Sequence, residues 1–150
     1  MFKQKPFPFS LIVLAVLIGL HLAGSYYNWY WSYNYFEVII HILAGLWVGS
    51  LFLWLASCLS QIDSMKEYRT KSFLIALVAA ALVGVAWELL ENFGHLAFIN
   101  ADMYSFNTAI DLSNDIIGGI LAYLYFIRRT SLAKPIAGLH PFYDKASVSH

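Results

Sequence analysis

The chain has 150 residues, of which 60% are hydrophobic and 12% are charged, and its nine basic residues balance its nine acidic ones. Soluble domains carry roughly 25% charged residues, so this composition predicts a protein of the lipid bilayer and excludes an ordinary soluble enzyme. The basic residues form no patch of the kind that binds DNA or RNA, and we therefore expect no nucleic-acid partner.

The apolar residues are concentrated in four runs, at 9–24, 37–59, 72–94 and 109–127. About 20 apolar residues in a helix cross a hydrocarbon core of about 30 Å. We therefore predict an all-α fold, a polytopic membrane protein built as a four-transmembrane-helix bundle over residues 1–129. The remaining segment, 130–150, carries Pro135, Gly138 and Pro141 among polar residues, which predicts a flexible cytoplasmic tail.

The first run has a second interpretation. Lys3 and Lys5 precede the apolar stretch and small residues follow it, a pattern that is also typical of a cleaved signal peptide. We favour a retained helix, because the stretch begins at Phe9 and continues into the Tyr- and Trp-rich segment 26–36, which is typical of a membrane interface.

The basic residues predict the orientation of the chain in the membrane. All nine lie on one predicted side, before the first run, between the second and third, or after the fourth: Lys3, Lys5, Lys66, Arg69, Lys71, Arg128, Arg129, Lys134 and Lys145. Cytoplasmic loops carry an excess of Lys and Arg. Both termini are therefore predicted to be cytoplasmic, in the cell (inner) membrane, and the other two connections are predicted to face outward.

Acidic and imidazole side chains gather at the predicted outer ends of the second, third and fourth helices. Each helix continues in small residues on the same face, which is where transmembrane helices pack together. The ionisable side chains are therefore predicted to point into the bundle and to meet near its outer end. The candidate polar pocket consists of His41, Glu88, Glu91, Asp111 and Asp115, and its periphery consists of Glu37, Asn92, His95 and Asn114.

Five of these side chains are carboxylates, and no Lys or Arg lies on the same predicted side. Carboxylates a few Å apart cannot all remain ionised in a medium of low dielectric constant without compensation. Shared protons, a cationic ligand or a divalent metal would each supply it. Carboxylates and imidazole suit Zn, Mn or Mg, and the ligands predicted for such a metal are His41, Glu88, Glu91 and Asp115.

The same residues also have structural interpretations. Thr108 and Asp111 have the spacing of a capping box, which would place them at the first turn of the fourth helix. Glu37 would be solvated at the start of the second helix, and the deeper groups would form a polar network that binds no ligand. Asn92 and Asn114 would then be hydrogen-bonding partners in that network.

Three motifs follow one another along the chain: His41, then Trp87-Glu88-x-x-Glu91, then Asp111-x-x-x-Asp115-x-x-Gly118-Gly119. In this order they resemble the YjdF-like family of small bacterial inner-membrane proteins of unknown function. The resemblance covers about residues 37–126. It implies a multi-pass membrane protein with Glu88, Asp111 and Asp115 at family-pattern positions, and it implies no particular reaction.

The motifs are similar, more distantly, to those of the VanZ-like proteins, some of which are associated with glycopeptide-antibiotic (teicoplanin) resistance. The VanZ-like pattern usually has Asn where Asp115 stands, and an Arg between the acidic motif of the third helix and the Asp of the fourth. Residues 104–108 contain no Arg here. The negative charge of the acidic cluster is therefore less compensated by basic residues than in the VanZ-like proteins.

Three functions are compatible with this pattern. The first is binding of a divalent cation, or of a cationic or lipid headgroup, in maintenance of the cell envelope. The alternative is a metal-assisted intramembrane hydrolase or transferase acting on a lipid-linked substrate, although no catalytic signature such as H-E-x-x-H is present. The third is a proton- or cation-coupled carrier, for which a homo-oligomer would have to complete the path across the membrane.

Overall fold

The structure is a computed structural model that describes residues 7–33, 35–59, 65–94 and 104–132. These residues form α-helices and no β-strand: α1 (Phe7–Tyr26), α2 (Trp29–Ser32), α3 (Phe36–Leu59), α4 (Met65–Gly94) and α5 (Tyr104–Leu132). All but the short α2 are long and apolar enough to cross a membrane, over Phe7–Tyr26, Phe36–Leu59, Arg69–Glu91 and Asn107–Arg129. The prediction of an all-α membrane protein with four spanning helices is confirmed.

Two helices extend well beyond the apolar runs from which they were predicted. Helix α4 begins at Met65 and α5 at Tyr104, whereas the corresponding runs begin at 72 and 109. An apolar run marks only the part of a helix that lies in hydrocarbon, because backbone hydrogen bonds continue equally well through polar residues. The predicted tail lies outside the described residues from 133 onward.

The predicted interfacial segment after α1 contains a tight reversal and a helical turn. Asn28 has a φ of 57°, in the left-handed region that Asn adopts more readily than most residues, and it precedes α2. Ring contacts hold this segment on the bundle: Phe36 lies 4.8 Å from Tyr30 and 5.5 Å from Trp29, centroid to centroid. The segment therefore covers one end of the bundle, which we call the site end.

Helix α3 is central and packs against α1, α4 and α5, while α5 also packs against α4. The contact between α3 and α5 is close because Gly45 has no side chain: a Cβ atom there would collide with the backbone carbonyl oxygen of Asp115. Small residues let transmembrane helices approach in this way. At the other half of the bundle the core is apolar and consists of Leu53, Ala76, Ala122 and Phe126.

Helix α1 is attached to the bundle at both of its ends, and near its last turn Gly24 lies against the ring of Phe36 of α3. At its beginning the ring of Phe9 stacks on Tyr125 with centroids 4.0 Å apart, and Phe7 lies 4.5 Å from Trp54. Between these attachments α1 rests on α3, and within the described residues it makes no backbone contact with α4. A groove therefore runs between α1 and α4, with α3 as its floor.

Candidate functional site

His41 and two aspartates of α5 meet in the interior of the site end. Their residues are 5%, 2% and 3% exposed for His41, Asp111 and Asp115, respectively. The Nδ1 atom of His41 lies 3.2 Å from Oδ2 of Asp115, and its Nε2 atom lies 3.8 Å from Oδ1 of Asp111. The imidazole thus lies between two carboxylates that follow each other by one turn of α5.

The two nitrogen atoms of the His41 ring have different surroundings. An ionised carboxylate only accepts hydrogen bonds, so in a neutral imidazole the contact with Asp115 would place the ring proton on Nδ1 and leave a lone pair on Nε2. At 3.8 Å, Nε2 and the Asp111 oxygen are too far apart for a hydrogen bond. In that tautomer the lone pair of Nε2 faces the Asp111 oxygen across this gap.

Neighbouring polar side chains hold the carboxylates in place. Asn107 donates from Nδ2 to Oδ2 of Asp111 at 2.7 Å, which leaves Oδ1 directed at His41. Thr108 donates from Oγ1 to Oε2 of Glu88 at 2.8 Å and so links α5 to α4. Glu88 is buried but does not belong to the compact group of ligand atoms around His41.

The capping-box interpretation of Thr108 and Asp111 is wrong. Helix α5 begins at Tyr104, so both residues lie inside the helix, where the backbone N–H groups already have intrahelical partners. The hydroxyl of Thr108 and the carboxylate of Asp111 are consequently available for the contacts between helices described above.

Glu37, predicted as peripheral, is the third member of the group. It lies in the first turn of α3 and is half-buried. One ligand atom each from Glu37, His41 and Asp111 can be chosen so that all lie within 4.8 Å of one another. This set shares only His41 with the predicted ligands. The close packing of α3 against α5, which spacing along the chain does not specify, brings Asp111 into the group.

A chamber of about 410 Å³ lies beside this group, between the bundle and the segment that follows α1. Carboxylate, imidazole and aromatic groups line it, among them Glu37, His41, Glu91, Tyr30, Trp31 and Trp87. No Lys or Arg occurs among the described residues of its lining. The chamber is therefore an acidic, aromatic-walled space that reaches the His41 group.

Tyr30 and His21 form a polar contact in the wall of this chamber that sequence reasoning missed. The Nδ1 atom of His21 lies 2.7 Å from the hydroxyl oxygen of Tyr30. Burial, followed by the negative charges of Glu37 and Glu91, raises the pKa of Tyr30 to about 12. The position of His21 near the end of the first run was the available signal, but only the reversal at Asn28 brings Tyr30 back to it.

The remaining predicted residues lie in different surroundings. Glu91 is half-buried and lines the chamber with His41. Asn114 is buried, and its Nδ2 atom has no hydrogen-bond partner within the part of the chain that the structure describes. His95 and the side chain of Asn92 lie outside the described residues. The structure thus brings His41, Asp111 and Asp115 into contact and adds Glu37.

The family model described as "Predicted membrane protein (DUF2238)" matches residues 3–131, so the chain belongs to this family. The match fits the resemblance to YjdF-like proteins, while the VanZ-like resemblance stays a prediction. No curated protein and no solved structure matches the chain.

Proposed function

We propose that this member of the DUF2238 family binds a divalent cation at the site end of its bundle, through Glu37, His41 and Asp111. The observation that carries the proposal is the distance of 3.8 Å between Nε2 of His41 and Oδ1 of Asp111. Protein N and O ligands lie about 2.0–2.2 Å from Zn²⁺. Two ligands of a tetrahedral ion are therefore about 3.4 Å apart, so this pair would have to approach by only a few tenths of an ångström.

The partner of the imidazole supports the same function. A histidine that binds a metal almost always donates its other ring N–H to a carboxylate or carbonyl, which fixes the tautomer and the ring orientation. Asp115 has this role toward Nδ1 of His41. Because imidazole is a poor ligand for Ca²⁺ and Mg²⁺, Zn²⁺ or Mn²⁺ is the favoured ion.

Glu37 is the third proposed ligand. Its carboxylate oxygen lies within 4.8 Å of the ligand atoms of His41 and Asp111, so a small contraction would bring it to an ion held by those two residues. Glu37 and His41 also line the chamber, which offers a path for entry. Bound water from the chamber would complete the coordination.

The location of the site suggests a role in the cell envelope. The distribution of Lys and Arg predicts that the site end faces outward from the inner membrane. A cation held there would lie among the headgroups of the outer leaflet, in contact with lipid or lipid-linked molecules. We infer a function in binding or remodelling such envelope components.

The test is elemental analysis of protein purified in detergent without a His tag or chelator. We expect about one Zn or Mn per wild-type chain and a loss of the metal in the double variant Glu37→Gln/Asp111→Asn. Glu67→Gln is the control, because Glu67 lies in the first turn of α4, at the opposite end of the bundle. Equal metal content in wild type and double variant, or none in either, would overturn the proposal.

A second function is favoured by the position of Glu91. Its carboxylate lines the chamber with His41 and is not part of the compact ligand group, which is the arrangement of a general base beside a metal-bound water. This would be a metal-assisted hydrolase or transferase. Mass spectrometry of lipid extracts after overexpression tests it: a lipid change in wild type that disappears in Glu91→Gln supports an enzyme, and identical extracts exclude it.

A further inference from the structure

We propose that the groove between α1 and α4 holds the hydrocarbon chain of a membrane lipid whose ammonium headgroup lies in the acidic chamber. This ligand is additional to the divalent cation and does not depend on it. The inference stands on three observations: the mostly apolar walls of the groove, its position next to the chamber, and the charge and aromatic character of the chamber.

The groove has a volume of about 260 Å³, and residues from all four spanning helices line it. Its walls are mostly apolar, with Leu17 of α1, Ala44 of α3 and Val83 of α4 among them, and His41 and Asp115 also line it. Because α1 and α4 make no backbone contact among the described residues, the groove opens between two transmembrane helices. Its natural occupant is therefore a hydrocarbon chain from the surrounding bilayer.

The groove and the chamber adjoin each other. Both are lined by His21, Ile40, His41 and Trp87. At this junction the walls change from apolar to acidic and aromatic. A molecule that fills both parts must carry a long apolar chain and a polar head, which is the chemistry of a lipid rather than of a free amine or a soluble anion.

The carboxylates in the chamber favour a positively charged lipid headgroup. Glu37 and Glu91 contribute carboxylates, and no described residue of the lining contributes Lys or Arg. An anionic headgroup would be repelled, whereas an ammonium would be attracted. The rings of Tyr30, Trp31 and Trp87 also line the chamber and would add cation–π attraction for an ammonium that lies over one of their faces.

The proposal predicts selective retention of phosphatidylethanolamine. To test this, wild-type protein is placed in nanodiscs that contain equal amounts of phosphatidylethanolamine and phosphatidylglycerol. The protein is then released in a native mass spectrometer, and the lipids that stay bound are counted. We expect the ethanolamine lipid to exceed the glycerol lipid by about five- to tenfold. In Glu91→Gln the ratio should fall toward one while the total bound lipid is maintained, because the groove is intact.

A matched pair of valines on α4 tests the groove. Val83 and Val85 are 39% and 42% exposed, but only Val83 lines the groove. Val83→Phe should displace the bound lipid, and Val85→Phe should retain it at the wild-type level. Both positions are partly exposed, so neither substitution has to be accommodated in a packed core.

Two results would overturn the proposal: equal retention of the two lipids by wild type, or equal retention of lipid by the two valine variants. Metal content measured on the same samples separates this proposal from the cation site. Val83→Phe should keep its metal, since Val83 is not among the proposed ligands. Loss of lipid with retained metal supports the groove alone, and selective lipid binding in a metal-free protein refutes only the cation site.

Discussion

His41 of α3 and Asp115 of α5, 74 residues apart along the chain, are joined by a contact of 3.2 Å between Nδ1 and Oδ2. One turn below His41, Gly45 lets the backbone of α3 touch the backbone of α5 at Asp115 itself. The backbone of Asp115 therefore lies at a close contact between the two helices, while its side chain contacts the imidazole. Packing and site chemistry are coupled at this residue.

The roles of the two aspartates should be separable by metal affinity. Asp115→Asn keeps the side chain's shape but loses the charge that orients His41, so we expect a 10- to 100-fold weaker affinity. Asp111→Asn removes a proposed ligand and should abolish stoichiometric binding. Competition with a chelator of known affinity measures both. Equal losses in the two variants would contradict the assignment of Asp115 as the residue that positions the ring.

The close contact of α3 and α5 should be sensitive to a single methyl group. Gly45→Ala places a Cβ atom against the carbonyl oxygen of Asp115, so the helices must separate, at a cost of about 1–3 kcal/mol. Gly19→Ala is the matched control, because a Cβ atom at Gly19 meets nothing within 4 Å. We expect it to be neutral or slightly stabilising. Unfolding in a detergent titration, followed by circular dichroism, compares the two, and similar stabilities would refute the packing argument.

The hydrogen bond between Thr108 and Glu88 should contribute measurably to the association of α4 and α5. Thr108→Val preserves the shape of the side chain but removes the donor, and we expect a loss of about 1 kcal/mol in the free energy of unfolding. Thr108→Ser retains the hydroxyl and should be close to wild type. A double-mutant cycle with Glu88→Gln isolates the pair, and a coupling energy near zero would show that the contact contributes nothing.

The chamber's negative charge should be visible in the titration of Tyr30. The pKa of Tyr30 is about 12 in the folded protein and about 10 in an unfolded chain. Because the folded-state pKa is the higher one, the stability linked to Tyr30 is complete below pH 10 and is lost as the pH rises toward 12. The difference in tyrosinate absorbance between wild type and Tyr30→Phe reports this group alone.

In Glu37→Gln and Glu91→Gln the midpoint of that difference titration should move down toward 10, because each substitution removes a charge that opposes ionisation. A midpoint near 10 already in the wild type would contradict the burial of the phenol and its proximity to these carboxylates.

Sequence reasoning predicted the spanning helices and the inward position of several ionisable residues, because both depend on local composition. Apolar length predicts a span, and ionisable residues on a face of small residues predict an inward position. His41, Asp111 and Asp115 were found in this way. Glu37 was predicted only as peripheral, because helix packing brings Asp111 to it. The contact of His21 with Tyr30 was missed, because it depends on the chain reversal at Asn28.

The sequence by itself determined the class of this protein, since the free energy of placing apolar residues in lipid is a sum over neighbouring residues in one helix. It also determined that acidic groups without nearby basic residues would be concentrated toward one end. Only the tertiary structure decided which of them meet. The pairing of His41 with Asp111 and Asp115, and the opening of the groove between α1 and α4, depend on contact distances between helices, which residue spacing along one helix does not specify.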